Sequence, residues 1–228
     1  MGLRETKKEQ TRAALADAAL ALFLDRGFEQ VTVAEVARAA GVSTNTAFNY
    51  FPAKEDLFFD RRAEVEGRLA AVVRERPAGT CAVDAVLADL LAALRSGEPT
   101  LGLDPAAARF WRVADASPAL RAREREITER AEAALAAVLA DQAAAEAGDP
   151  LPAIIAAAIS GAYRAVVREI RRRVTAAEPV DEIRRTVSEA AQQAFGLLCS
   201  GLDGYPPNPF HGVHRAKVKD AEFHGEAQ

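Results

Sequence analysis

The chain has 228 residues, half of them apolar, which suffices for a sizeable core in one domain or two small ones and excludes a disordered tail protein. Alanine fills 52 positions, while Trp occurs once and Tyr three times; this excess of the best helix former, with few aromatic or β-branched runs, predicts an all-α protein and excludes sandwiches and barrels. Lys+Arg 29 against Asp+Glu 33 gives a net charge of −4, so the overall balance steers the chain to neither nucleic acid nor an anionic membrane, and any such binding must be local.

The first residues, Met-Gly-Leu-Arg-Glu-Thr-Lys-Lys-Glu, are charged where a signal peptide needs an apolar stretch, and no uninterrupted run of about 18 apolar residues follows. Together these predict a soluble protein of the cytoplasm with no membrane partner. Arg4, Lys7, Lys8 and Arg12 outnumber Glu5 and Glu9 within residues 1–12, the composition of an arm that follows phosphates or enters a minor groove. Leu15, Ala18, Ala19, Leu22 and Phe23 then recur at helical spacing, predicting a helix from about Glu9 to Arg26 that Gly27 ends. Thr32-Val33-Ala34-Glu35 is a capping box, followed by the apolar positions Val33, Val36, Ala37 and Ala40 of a second, short helix that stops at Gly41. One residue later Ser43 caps a third short helix, which continues to Tyr50 before Pro52 blocks it. Two short helices joined by a tight glycine turn make a helix-turn-helix pattern.

On a helical wheel, Ala47, Phe48 and Phe51 of this third helix fall on one side, expected to pack, and Asn45, Thr46, Asn49 and Tyr50 on the other, expected to face out. An Asn amide both donates and accepts, so it can pair with adenine in the major groove, and Thr can offer a methyl to thymine or a hydroxyl to the backbone. Asn45 and Asn49, one turn apart, are the base-reading candidates; Ser43, Thr44 and Thr46 complete that surface. Tyr50 and Lys54 are candidates for phosphate contacts, and Thr32 could meet the backbone from the other flank.

Beyond Pro52 one helix is predicted over about 54–76, another over Val83–Leu94, and further helices at about 104–115, 118–146, 151–176 and 179–202. The reading divides the chain into a DNA-binding unit at 1–54, a helical ligand-binding and dimerisation unit at 55–203, and a tail at 204–228 rich in Pro and lacking a helical stripe. Ile154, Ile155, Ala158, Ile159, Ala162, Val166 and Ile170 form one stripe of the 151–176 helix. Val180, Ile183, Val187, Ala191, Ala194, Phe195 and Leu198 form another on the last helix. The two helices are expected to pair with their symmetry mates as a four-helix bundle. A pocket for a small-molecule effector is expected among Leu91, Leu94, Phe110, Trp111, Ile127 and Tyr163.

Chemistry other than binding has little footing. His211, His214 and His224 lie in the tail, there is no glycine-rich phosphate loop, and no cofactor or metal is called for. Cys81 and Cys199 are neither a disulfide framework nor a metal spacing, and both read as small apolar residues. The alternative class is an all-α small-molecule binding protein or enzyme whose helix-turn-helix is structural; affinity for duplex DNA that falls steeply with salt discriminates the two.

Residues Val31–Asp60, with Gly27-Phe28 before them, resemble the N-terminal domain of the TetR (tetracycline-repressor) family of bacterial transcriptional regulators. The likeness rests on Thr32, Ala37, Gly41-Val42-Ser43, Tyr50-Phe51-Pro52 and Lys54. It implies a homodimer that grips a double-stranded operator through two such units and is released by a small molecule bound in its C-terminal domain. It also implies that Thr44, Asn45 and Asn49 fall where family members touch bases, and Tyr50 and Lys54 where they touch phosphates. Phe48 stands where the family commonly has Tyr, and Ala47 replaces a larger apolar residue.

Overall fold

The computed structural model describes residues 2–201; the segment 204–228 with its three histidines, read from sequence as a tail, lies outside the described residues. Ten α-helices and one 3-10 turn make up the described chain, with no strand among the described residues, as the alanine content predicts. The helices are α1 (Leu3–Arg26), α2 (Val33–Ala39), α3 (Thr44–Tyr50), α4 (Lys54–Phe58), α5 (Arg62–Glu75), α6 (Ala82–Ser96), α7 (Ala107–Ala116), α8 (Pro118–Gln142), α9 (Leu151–Thr175) and α10 (Val180–Gly201).

Two departures from the sequence reading concern boundaries. First, α1 starts at Leu3 rather than Glu9, so the basic N-terminal stretch is helical rather than an extended arm. Second, the helix expected over 54–76 is two helices. The chain breaks at Phe59–Arg61, where the Arg12 guanidinium takes the Asp60 carbonyl at 2.6 Å and Phe59 packs edge-on against Phe58 and Phe110. A carbonyl bound from outside and a ring drawn into a neighbour compete with continuation of the helix.

The apolar side chains collect in two clusters. The smaller holds Leu15, Ala19 and Phe23 of α1, Val36 and Ala37 of α2, Ala47 of α3, Phe51, Leu57 and Phe58, together with Ala114 of α7 and Leu120 of α8. The sequence boundary after Lys54 thus falls inside α4, whose Leu57 and Phe58 are buried with the N-terminal helices. The larger cluster is built from α5, α6, α8, α9 and α10. Here the predicted α9 stripe divides: Ile155, Ile159, Val166 and Ile170 are buried within the chain, while Ile154 is 61% exposed. By length and composition α9 is apolar enough to cross a membrane, and this division accounts for it: one face fills the core and the other remains apolar on the surface. On α10, Ile183, Val187, Ala191 and Phe195 are buried, Ala194 is exposed and Leu197 is 79% exposed.

Candidate nucleic-acid interface

The helix-turn-helix is assembled by local hydrogen bonds that the sequence dictates. Thr32 accepts from the Glu35 N–H at 3.2 Å, and the Glu35 carboxylate accepts from the Thr32 N–H and hydroxyl at 2.8 Å each. Arg26 donates to the other carboxylate oxygen at 2.8 Å, which ties the end of α1 to the start of α2. The Thr32 N–H and the Arg26 guanidinium hold the Glu35 carboxyl down at about 2. At the turn, the Gly41 N–H reaches the Arg38 carbonyl and the Val42 N–H the Ala37 carbonyl, the paired bonds of a Schellman cap. Gly41 sits at φ +69, a conformation that side chains disfavour. Ser43 then opens α3, its hydroxyl accepting from the Thr46 N–H at 3.1 Å and lying 2.8 Å from the Thr46 hydroxyl.

With this framework set, α3 presents Thr44, Asn45, Phe48 and Asn49 to solvent and turns Ala47 and Phe51 inward, with Thr46 and Tyr50 half-buried between. Phe48, expected to pack, is 45% exposed. The reason lies on the wheel: the short α3 is anchored along Ala47 and Phe51, and Thr46 and Tyr50 continue that anchored arc away from Phe48. Phe48 therefore shares a face with Asn45 and Asn49, a placement visible only once the direction of the core is known.

Lys54, a candidate for a phosphate contact, also has partners within the chain. Its ammonium donates to the Phe28 carbonyl at 2.6 Å and lies 4.2 Å from the centroid of the Phe28 ring, fastening α4 to the loop before α2. Arg12 does the same for the far end of α3, donating to the Tyr50 carbonyl at 3.5 Å over the Phe51 ring. Lys7 and Lys8, one turn before Arg12, are exposed on the same helix. Thr32, Ser43 and Thr46 use their hydroxyls to cap and brace helices.

The six residues expected to line one pocket are distributed instead. Leu94 is fully buried, and half-buried Leu91 and Tyr163 pack with it in the larger cluster; burial pushes the Tyr163 phenol up to about 12. Phe110 and Trp111 pack with the N-terminal cluster, and Ile127 is buried on α8. Two surface depressions have other walls: one of about 270 Å³ between the Gly27–Gln30 loop and α7, and one of about 410 Å³ beside α5 and Asp89.

Phe110 and Trp111 belong to a seam that joins the two units. The Phe110 ring stacks on Phe58 at 4.2 Å. Asp56, 2% exposed, accepts from Arg123 of α8 at 2.6 Å and pairs with Arg62 at 3.0 Å. The Ser117 hydroxyl donates to Glu29 at 2.6 Å, and Arg109 donates to the Leu24 carbonyl at 3.3 Å. These contacts join α7 and the start of α8 to α1, α4 and the loop after α1.

A capped two-helix unit with an exposed polar stripe, mounted on a larger helical body, defines a helix-turn-helix DNA-binding regulator. The profile of bacterial regulatory proteins of the tetR family matches residues 15–60. The chain is 32% identical over 173 residues to the HTH-type transcriptional regulator TcmR of Streptomyces glaucescens, covering 74% of this chain and 76% of that one. Over 58 residues it is 45% identical to the HTH-type transcriptional regulator BetI of Rhizobium meliloti (strain 1021), a span of 25% of this chain and 29% of that one. Its fold is similar to that of NalD from Pseudomonas aeruginosa, a secondary repressor of the MexAB-OprM multidrug efflux pump. That likeness has a TM-score of 0.53 at 19% identity, over 84% of this chain and 96% of that one. The chain belongs to the TetR family and is a DNA-binding transcriptional regulator rather than an enzyme.

Proposed function

We propose that the protein is a cytoplasmic homodimeric repressor that a small molecule releases from its operator. The observation that carries the DNA-reading part is the exposed stripe Thr44, Asn45, Phe48 and Asn49 on a helix whose opposite side is anchored. Asn45 and Asn49 pair with base edges, and Phe48 supplies an apolar contact to a thymine methyl. Tyr50, at the end of the same helix, and Lys7 and Lys8 meet phosphates. Thr32, Ser43, Thr46 and Lys54 serve the interface by holding α2, α3 and α4 in place; any direct backbone contact from them is secondary.

Dimerisation uses the surface left apolar once the core is satisfied: Leu151, Ile154 and Ala158 on α9, and Ala194 and Leu197 on α10. Two such faces in isologous contact would set the recognition helices roughly 34 Å apart or a multiple of it. An effector acting among α5–α9, next to half-buried Leu91 and Tyr163, would release DNA by moving α7 and α8. The Phe58–Phe110 stack and the Asp56–Arg123 pair carry that motion to α1 and α4. A switch from 1:99 to 99:1 needs about 5.5 kcal/mol of differential affinity.

The test is footprinting of the purified protein on DNA flanking its own gene, over a series of salt concentrations. Protection of two half-sites related by a dyad, weakening steeply with salt, is the expected result. Protection of a single half-site, or salt-insensitive binding, overturns the dimeric reading or the DNA-reading surface respectively.

A further inference from the structure

Cys81, Asp84 and Cys199 bring two sulfurs and a carboxylate oxygen within 4.8 Å of one another, although the two cysteines are 118 positions apart in sequence. Cys81 immediately precedes α6 as its N-cap residue, Asp84 is in the first turn of that helix, and Cys199 is in the last turn of α10. Both cysteines are free thiols, half-buried where they pack against the larger apolar cluster, while Asp84 is exposed. The arrangement therefore has a dry floor and one open side. Both cysteines pack as apolar residues, as the sequence reading has them, and their proximity, which sequence distance hides, is created by the packing of α10 on α6.

The donor set selects its ligand. Calcium and magnesium take oxygen ligands and exclude a pair of thiolates. Two sulfurs and one carboxylate suit a thiophilic cation in tetrahedral geometry, with the fourth position open to water. Zn–S bonds of about 2.3 Å place tetrahedral sulfurs about 3.8 Å apart, so small side-chain rotations close the observed spread. A disulfide between Cys81 and Cys199 would need an oxidant and would leave Asp84 without a part.

We propose that Cys81, Asp84 and Cys199 form a site for a divalent cation of the zinc and cadmium class, which ties the end of α10 to the start of α6. Binding is a ligand exchange without oxidation: the two thiol protons leave to solvent, and two thiolates and a carboxylate replace waters of the ion. The bound site carries one net negative charge, and Arg76, which donates to the carbonyl of Thr80 next to Cys81 at 2.8 Å, places a guanidinium beside it. Because Leu197, on the exposed apolar face of α10, is two residues from Cys199, the ion fixes the part of α10 that flanks that face.

The experiment titrates the full chain, reduced and stripped with a chelator, with cadmium. One ion per chain and an ultraviolet thiolate-to-cadmium charge-transfer band are expected. Cys81→Ser and Cys199→Ser each lose the two-thiolate band, and Asp84→Asn keeps it with affinity reduced by about tenfold or more. Cadmium raises the melting temperature of the wild type but not of Cys199→Ser. Circular dichroism of each variant confirms that the helices persist. Absence of a band in the reduced wild type, or a full band in Cys199→Ser, overturns the proposal. So does loss of the band when His211, His214 and His224 are replaced by Ala, which would move the ion to the C-terminal segment. Formation of a Cys81–Cys199 disulfide in air by a protein that binds no cadmium when reduced also overturns it.

Discussion

Asn49 and Lys54 are polar residues five positions apart with opposite circumstances. Asn49 is exposed beside Asn45 and Phe48, whereas the Lys54 ammonium is fastened to the Phe28 carbonyl at 2.6 Å. Asn49→Ala is therefore expected to weaken binding to the operator by about 1–3 kcal/mol and to leave binding to random duplex nearly unchanged. Competition gel shifts with both duplexes check this; equal losses on the two would assign Asn49 to the backbone. Lys54→Ala is expected to lower stability by about 1.5–3 kcal/mol through loss of a charged hydrogen bond, with the slope of log K against log salt unchanged. Urea denaturation and a salt series separate the two effects. Phe48 is exposed on the reading face, so Phe48→Tyr adds a hydroxyl without disturbing the core. Operator affinity should change while the melting temperature holds, and a marked drop in melting temperature would return Phe48 to a packing role.

At the level of the element, the N-terminus of α2 depends on one carboxylate. Glu35 accepts from the Thr32 N–H and hydroxyl and from Arg26, and its carboxyl is lowered from 4.5 to about 2. A group whose acidity is raised by folding contributes stability that is fully present above its unfolded value and is lost as pH falls through the folded one. The difference in stability between wild type and Glu35→Gln should thus be constant above pH 4.5, shrink as pH falls toward 2, and vanish below it. Helix content followed by circular dichroism across that range is the measurement. A difference that persisted below pH 2 would mean that shape rather than charge sustains the cap. The break between α4 and α5 has a comparable local cause, since Arg12 holds the Asp60 carbonyl from outside the helix. That cause is nonlocal in sequence, which is why the apolar spacing of 54–76 reads as one helix.

For the whole molecule, the apolar faces of α9 and α10 are divided between the chain's own core and its surface. Ile159 is fully buried, while Ile154 and Leu197 are 61% and 79% exposed. Replacing Ile154 and Leu197 together by Glu should leave the core intact and place charges in any contact between copies. Sedimentation is expected to show a dimer for the wild type and a monomer for the double variant, with matching helix content and a footprint reduced to weak single half-sites. A double variant that remains dimeric places the contact elsewhere.

The sequence by itself determined the all-α class, the capping box at Thr32, the turn at Gly41 and the start of α3 at Ser43, because each is set by hydrogen bonds among residues within a few positions of one another. Those local features carry the family likeness and with it the DNA-binding function. Only the tertiary structure decided which side of each helix meets the core. Periodicity shows that a stripe exists but not how wide the neighbouring helix is, so Phe48 and Ile154 fall outside the buried arc while Ala47 and Ile155 fall within it. It also decided the partners of Lys54 and Asp56 and the meeting of Cys81 with Cys199, contacts between residues 26, 67 and 118 positions apart. Such pairs arise from the way α4 seats on α1, α8 on α4 and α10 on α6, and no local spacing encodes that seating.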